Sequence, residues 1–267
     1  MRRAVGGLLL AAGLAVAVNV QAAPPRVLSL DQCADQYVLA LAPRETIAGL
    51  SPRADDEDAW LRSRARGAPL RRPTLETALA VRPDLVVRFW GGDPRLVRRL
   101  EASGARVVQI DEAADFDGVR ANVRRVAAAL DRRPQGEALI RDMDARLARS
   151  RGAWRGERAL YLTPGGFTAG EGTLVGAMMA AAGLISVAGP GYSPVSLERL
   201  VLTPPRLLVL GFFDTSRRDR WGGGRHPQIR RLARSRAAAS LPGSMLGCPA
   251  WFAAEGAERL AAAAPRR

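Results

Sequence analysis

The sequence has no lysine, one histidine, two cysteines and few aromatic side chains (5%) among its 267 residues. Each scarcity narrows the function. All 40 basic residues are arginine, against 26 acids, for a formal charge of +14. With so much Ala and Gly beside it, an all-Arg basic set reads as genomic codon bias. The arginines are spread along the chain and form no basic tract, so a nucleic-acid partner is not expected. The single histidine, His226, precedes Pro227 and reads as a helix-start residue. A zinc site needs three or four ligands, so no resident metal is expected. No nucleophile–base pair, HExxH, GxSxG or phosphate loop is present, which argues against an enzyme. An exported hydrolase is the one alternative kept from another class. After residue 22 no apolar run is long enough to cross a bilayer.

One early apolar run is there. Arg2 and Arg3 precede the stretch Ala4 to Val18, and Val20-Gln21-Ala22 has the small residues of a cleavage site. Residues 1–22 therefore read as a secretory signal, and the rest as a soluble exported protein. The run is about 15 residues, short of the roughly 20 a spanning helix requires.

Strand-like and helix-like segments then alternate. Strands are expected at Arg26 to Leu30, Ile47 to Ser51, Leu85 to Phe89 and Arg106 to Ile110. Helices are expected at Asp31 to Leu41, Thr74 to Val81 and Asp93 to Ser103, and residues 52–72 read as a loop. From Phe116 to Trp154 apolar residues recur at the helical period, divided by Pro134. The second half, Pro134 to Gly152, predicts a helix of roughly 28 Å. After it come strands at Arg158 to Leu162, Ser186 to Ala188, Leu207 to Leu210 and Ser244 to Leu246. The helices between them are Thr173 to Ala182, Ser196 to Leu202, His226 to Ala238 and Glu255 to Ala264. The expected fold is α/β, with two lobes of mainly parallel sheet joined by a single long rigid helix. The boundaries are 24–131 for the N-terminal lobe, 134–152 for the linking helix and 157–267 for the C-terminal lobe.

An internal repeat supports two lobes. Thr74-Leu75-Glu76, Pro83, Leu85 and Val87 match Ser196-Leu197-Glu198, Pro205, Leu207 and Val209 at a constant offset. In each copy a hydroxyl residue caps a short helix, Glu sits in its first turn, and Pro precedes a buried strand. Two like lobes make a cleft, where small ligands bind.

The runs RRPTLETALAVRPDLVVRFWGG, GFTAGEGTLVGAMMAAAGL and GYSPVSLERLVLTPPRLLVL resemble the periplasmic binding proteins for iron complexes and vitamin B12. The resemblance spans about Arg26 to Leu260. It implies no catalysis and no cofactor, but a monomer that carries a cobalt- or iron-containing chelate to a membrane ABC permease dimer with its ATPase. Local matches to the vitamin B12-binding members place ligand contacts on Phe89, Trp90, Phe167, Tyr192, Trp251 and Phe252. Aromatic faces suit a flat ring system such as a corrin. Where those members have a further aromatic, this chain has Leu70. Arg53, with Arg71 and Arg72, offers cations to the carboxylates of a ferric siderophore or haem, the alternative cargo. Glu76 and Glu198 match the acidic residues with which the family docks on its permease. Cys33 and Cys248 fall on opposite lobes and are either bonded to each other or both free.

Overall fold

The computed structural model describes residues 25–214 and 226–265. The expected secretory signal lies outside them. The chain runs β1 (Val27–Ser29), α1 (Gln32–Leu41), a 3-10 turn (Arg44–Thr46), β2 (Ile47–Gly49), α2 (Arg62–Ala65), α3 (Leu75–Val81), β3 (Leu85–Arg88), α4 (Pro94–Ala102) and β4 (Arg106–Gln109). Two helices follow, α5 (Phe116–Ala129) and α6 (Arg133–Ser150). The second half is β5 (Arg158–Leu162), β6 (Phe167–Ala169), α7 (Leu174–Ala181), β7 (Ile185–Ser186), β8 (Tyr192–Pro194), α8 (Leu197–Leu202), β9 (Leu207–Gly211), α9 (Pro227–Arg236), β10 (Ala237–Leu241), α10 (Gly243–Leu246) and α11 (Ala253–Ala262).

Two four-stranded sheets result, ordered β2-β1-β3-β4 and β10-β9-β5-β7, with every pair parallel. Their strands are apolar and nearly continuous, as strands covered on both faces require. Read from the other edge, the second sheet is β7-β5-β9-β10, the same plan as the first. The internal repeat thus extends to topology: α3 and β3 correspond to α8 and β9. The caps also repeat. The hydroxyl of Thr74 accepts the Thr77 N–H, and that of Ser196 accepts the Arg199 N–H. Asp31 caps α1, and the Nδ1 of His226 accepts the Gln228 N–H at the start of α9.

Two sequence expectations are corrected. The chain leaves α9 before Ala237 and forms β10, whereas Ser244 to Leu246 is a helical turn and not a strand. The run Ala237-Ala-Ala has high intrinsic helix propensity, but pairing with β9 and burial of Leu241 override it. A two-stranded antiparallel ribbon, β6 with β8, was not expected. Each strand is only three residues long beside glycines, too short for a period to show.

α6 lies between the two halves. Pro134 occupies its first turn, and Gly152 follows it with φ 71°. Gly136 lets it approach α5 closely, since a Cβ there would lie 2.5 Å from the Cβ of Ala127. Ion pairs reach both ways: Arg120–Asp144 and Arg124–Glu137 to α5, and Arg146–Glu258 and Arg149–Glu258 to α11.

Candidate functional site

The cleft between the lobes sits at the carboxyl ends of the central strands of both sheets. In each sheet the strand order reverses there, between β1 and β3 and between β5 and β9. Such switch points are where open α/β sheets receive ligands. The cavity is about 480 Å³, within the usual range of small-molecule sites. On the N-terminal side it is lined by Gln32, Cys33, Arg53, Asp58 and Trp90. On the other side it is lined by Tyr161, Thr163, Phe167, Thr168, Tyr192 and Phe212, among others.

Asp31 builds the N-terminal wall. One carboxylate oxygen accepts the N–H groups of Cys33 and Ala34, fixing the start of α1. The other accepts the N–H groups of Phe89 at 2.7 Å and Gly91 at 2.9 Å, fixing the turn that presents Trp90. Gly91 is required there, because a Cβ would lie 2.4 Å from the Leu30 carbonyl oxygen. Beneath the wall, Asp35 is fully buried and accepts the backbone N–H and the hydroxyl of Ser51, at 2.9 and 2.6 Å. The Ser51 oxygen in turn accepts the Arg53 N–H. Burial pushes the Asp35 carboxyl up to about 7, against the lowering effect of the Ser51 hydrogen bonds. The Arg53 guanidinium pairs with Asp56 and Asp58, and the Gln32 amide donates to Asp58.

On the other wall, the β6–β8 ribbon carries Phe167 and Tyr192. These two and Trp90 are large aromatics left open, at 52%, 62% and 61% exposure. Aromatics this exposed are unusual in a finished surface, and here they face one cavity.

The sequence therefore placed Arg53, Trp90, Phe167 and Tyr192 where the structure brings them together. It did not do so for the other three aromatics. Trp251 (7% exposed) and Phe252 (1%) are core, and the expectation that they face a ligand is corrected. Trp251 meets Tyr37 edge-on and Phe252 stacks on Trp60. Phe89 is half-buried and packs on the same core, outside the cleft lining. Arg71 and Arg72 also lie outside the lining. Cys33 and Cys248 are bonded to each other across the lobes, with their Cα atoms 5.3 Å apart. Glu76 and Glu198 are exposed in the first turns of α3 and α8, away from the cavity, and neither makes an ion pair among the described residues. Sequence reading missed Asp31 as a clamp, Asp35, Tyr161 and Thr168. No group of three or more His, Cys, Asp or Glu able to hold a metal ion occurs among the described residues, and no described helix is long and apolar enough to cross a membrane.

Comparison with known proteins matches this arrangement. A family model described as periplasmic binding protein covers residues 28–242. A cobalamin-binding protein of Halobacterium salinarum is 26% identical over 206 residues, 73% of this chain and 56% of that protein. The chain thus spans little more than half the length of that relative. A vitamin B12-binding protein of Pectobacterium carotovorum is 25% identical over 210 residues, 74% of this chain and 75% of that protein. Among solved structures, the periplasmic heme-binding protein BhuT in complex with two hemes superposes with a TM-score of 0.67 at 25% identity, covering 90% of this chain and 99% of that one. These relatives are named as binding proteins and not as enzymes. With the fold, the cleft and the family match over residues 28–242, the chain belongs to the periplasmic binding protein family.

Proposed function

We propose that this protein captures a flat metal chelate, a corrinoid in preference to haem or a ferric siderophore, and delivers it to an ABC importer. The observation that carries the reading is the set of three exposed aromatics, Trp90, Phe167 and Tyr192, facing one cavity from both lobes. Stacking on a large ring rewards such faces more than hydrogen bonding does. The two curated relatives named for cobalamin and vitamin B12 support the corrinoid choice. The chain acts as a carrier and not as an enzyme, in the periplasm after loss of its leader. It works as a monomer and has no resident cofactor. Glu76 and Glu198 meet arginines of a two-fold permease, one from each lobe.

Calorimetry and Trp fluorescence with cyanocobalamin, haemin and a ferric siderophore test the reading. Saturable binding of cyanocobalamin with quenching is expected, and its loss in Trp90→Ala with Tyr192→Ala. No heat with corrinoids, beside saturation by haemin, would sink the corrinoid choice.

A further inference from the structure

We infer that the C-terminal wall of the cleft holds a polar subsite, made by the hydroxyls of Thr168 and Tyr161, that takes a carboxamide on the periphery of the ligand. By this subsite the cleft selects an amide-bearing ring over a carboxylate-bearing one. The inference rests on the cleft being the ligand site proposed above.

Thr168 lines the cleft from β6 and is 5% exposed. Its Oγ1 is the one buried side-chain polar atom without a hydrogen-bond partner among the described residues. Native proteins rarely leave such a group orphaned, and a ligand atom is a ready explanation. Tyr161 lines the same cleft from β5, with its ring packed against β9. Gly211 makes room for it, since a Cβ there would lie 2.2 Å from the phenolic oxygen. That oxygen has no hydrogen bond to any described residue. Burial raises the phenol above its ordinary range, so the hydroxyl keeps its proton.

A hydroxyl both donates and accepts, which matches an amide. A carboxylate only accepts, and burying its charge requires a cation. Among the described residues the only cation lining the cleft is Arg53. It is already held by Asp56 at 3.0 Å and Asp58 at 3.5 Å. A chain of formal charge +14 thus presents a cleft lining in which Arg53 is offset by Asp58. A corrin carries peripheral amides, whereas haem carries propionates.

The test titrates the full mature chain with cyanocobalamin, with cyanocobalamin whose peripheral amides have been hydrolysed to acids, and with haemin. Thr168→Val should weaken cyanocobalamin binding about tenfold. Its melting temperature should be unchanged or raised, because an orphaned hydroxyl is removed. Thr168→Ser should bind like wild type. The hydrolysed corrinoid should bind wild type at least about tenfold more weakly than the parent. Wild-type affinity in Thr168→Val, with cyanocobalamin still bound, overturns the subsite and leaves the corrinoid reading standing. Haemin or the hydrolysed corrinoid binding as tightly as cyanocobalamin overturns the selection. Tight haemin binding with no cyanocobalamin binding brings down both the selection and the corrinoid reading.

Discussion

The hydroxyl of Tyr37 donates to the carbonyl of Pro249 at 2.6 Å, and the two residues belong to opposite lobes. Around that bond the Tyr37 and Trp251 rings meet edge-on at 5.3 Å, and Trp60 stacks on Phe252 at 5.3 Å. Cys33 and Cys248 are joined beside it. One apolar core runs through this seam, from α1 of the first lobe to α11 of the second. The lobes are therefore held at two places, by α6 and by the seam. A hinge opening that parted the seam would expose buried aromatic area, so large opening is strongly disfavoured.

The disulfide adds stability to the seam without being its sole support. Cys33→Ser with Cys248→Ser should lower the melting temperature, with a loss of about 2–5 kcal/mol. The lobes should stay together through Tyr37 and the aromatic packing. Small-angle scattering of the reduced and oxidised proteins should therefore superimpose. A larger radius of gyration on reduction would show that the bond alone holds the lobes.

Trp90 and Trp251 should separate cleanly in mutagenesis. Trp251→Ala removes a buried ring and should cost roughly 3–5 kcal/mol of stability. Trp90→Ala removes an exposed ring and should leave the melting temperature within error while ligand affinity falls. Thermal melts beside ligand titrations check both. A large loss of stability in Trp90→Ala would place that ring in the fold and not in the site.

Much of this was legible because it is local. The caps at Thr74 and Ser196, the helical period from Phe116 onward and the doubled Leu-Glu element each lie within a few residues of their partners. Exposure of Trp251 and Phe252 is not local. It depends on Tyr37 and Trp60, about two hundred positions away, and an aromatic pair near a cleft reads the same whichever way it turns. The orphaned hydroxyl of Thr168 is equally invisible, since what marks it is a partner it lacks. The strand β10 was within reach. Extending the repeat one element further, from β4 to its counterpart, places a strand after α9 despite the alanine run.

Asp35 should shape the response to pH. Its folded value, about 7, lies above its ordinary 3.8, so between those values the native state holds a proton that the unfolded chain has released. Its contribution to stability is then full below about pH 4 and is lost as pH rises through about 7. Asp35→Asn can still accept the Ser51 N–H through its amide oxygen and turn its amide N–H toward the Ser51 hydroxyl oxygen, and it carries no charge. The stability difference between the variant and wild type should grow in the variant's favour from pH 5 to 8. Denaturant melts across that range decide, and a flat difference would mean that Asp35 is ionised in the fold throughout.

Glu76 and Glu198 are the equivalents that topology makes of each other. Each follows a capping hydroxyl residue in the first turn of the short helix before a central strand, and each is exposed. A first-turn Glu is also favoured by the helix dipole, worth about 0.3–1 kcal/mol. That preference explains either residue alone, but it does not require both to be without an ion pair among the described residues, on corresponding sites of two lobes. Charges at a rim chiefly set encounter rate and orientation. Glu76→Arg with Glu198→Arg should therefore leave ligand affinity unchanged and cost at most about 1–2 kcal/mol of stability through the two dipoles. It should abolish stimulation of the importer's ATPase and uptake into reconstituted vesicles, and each single reversal should fall between. Intact coupling in the double reversal, with weakened ligand binding, would move both residues from the transporter to the pocket.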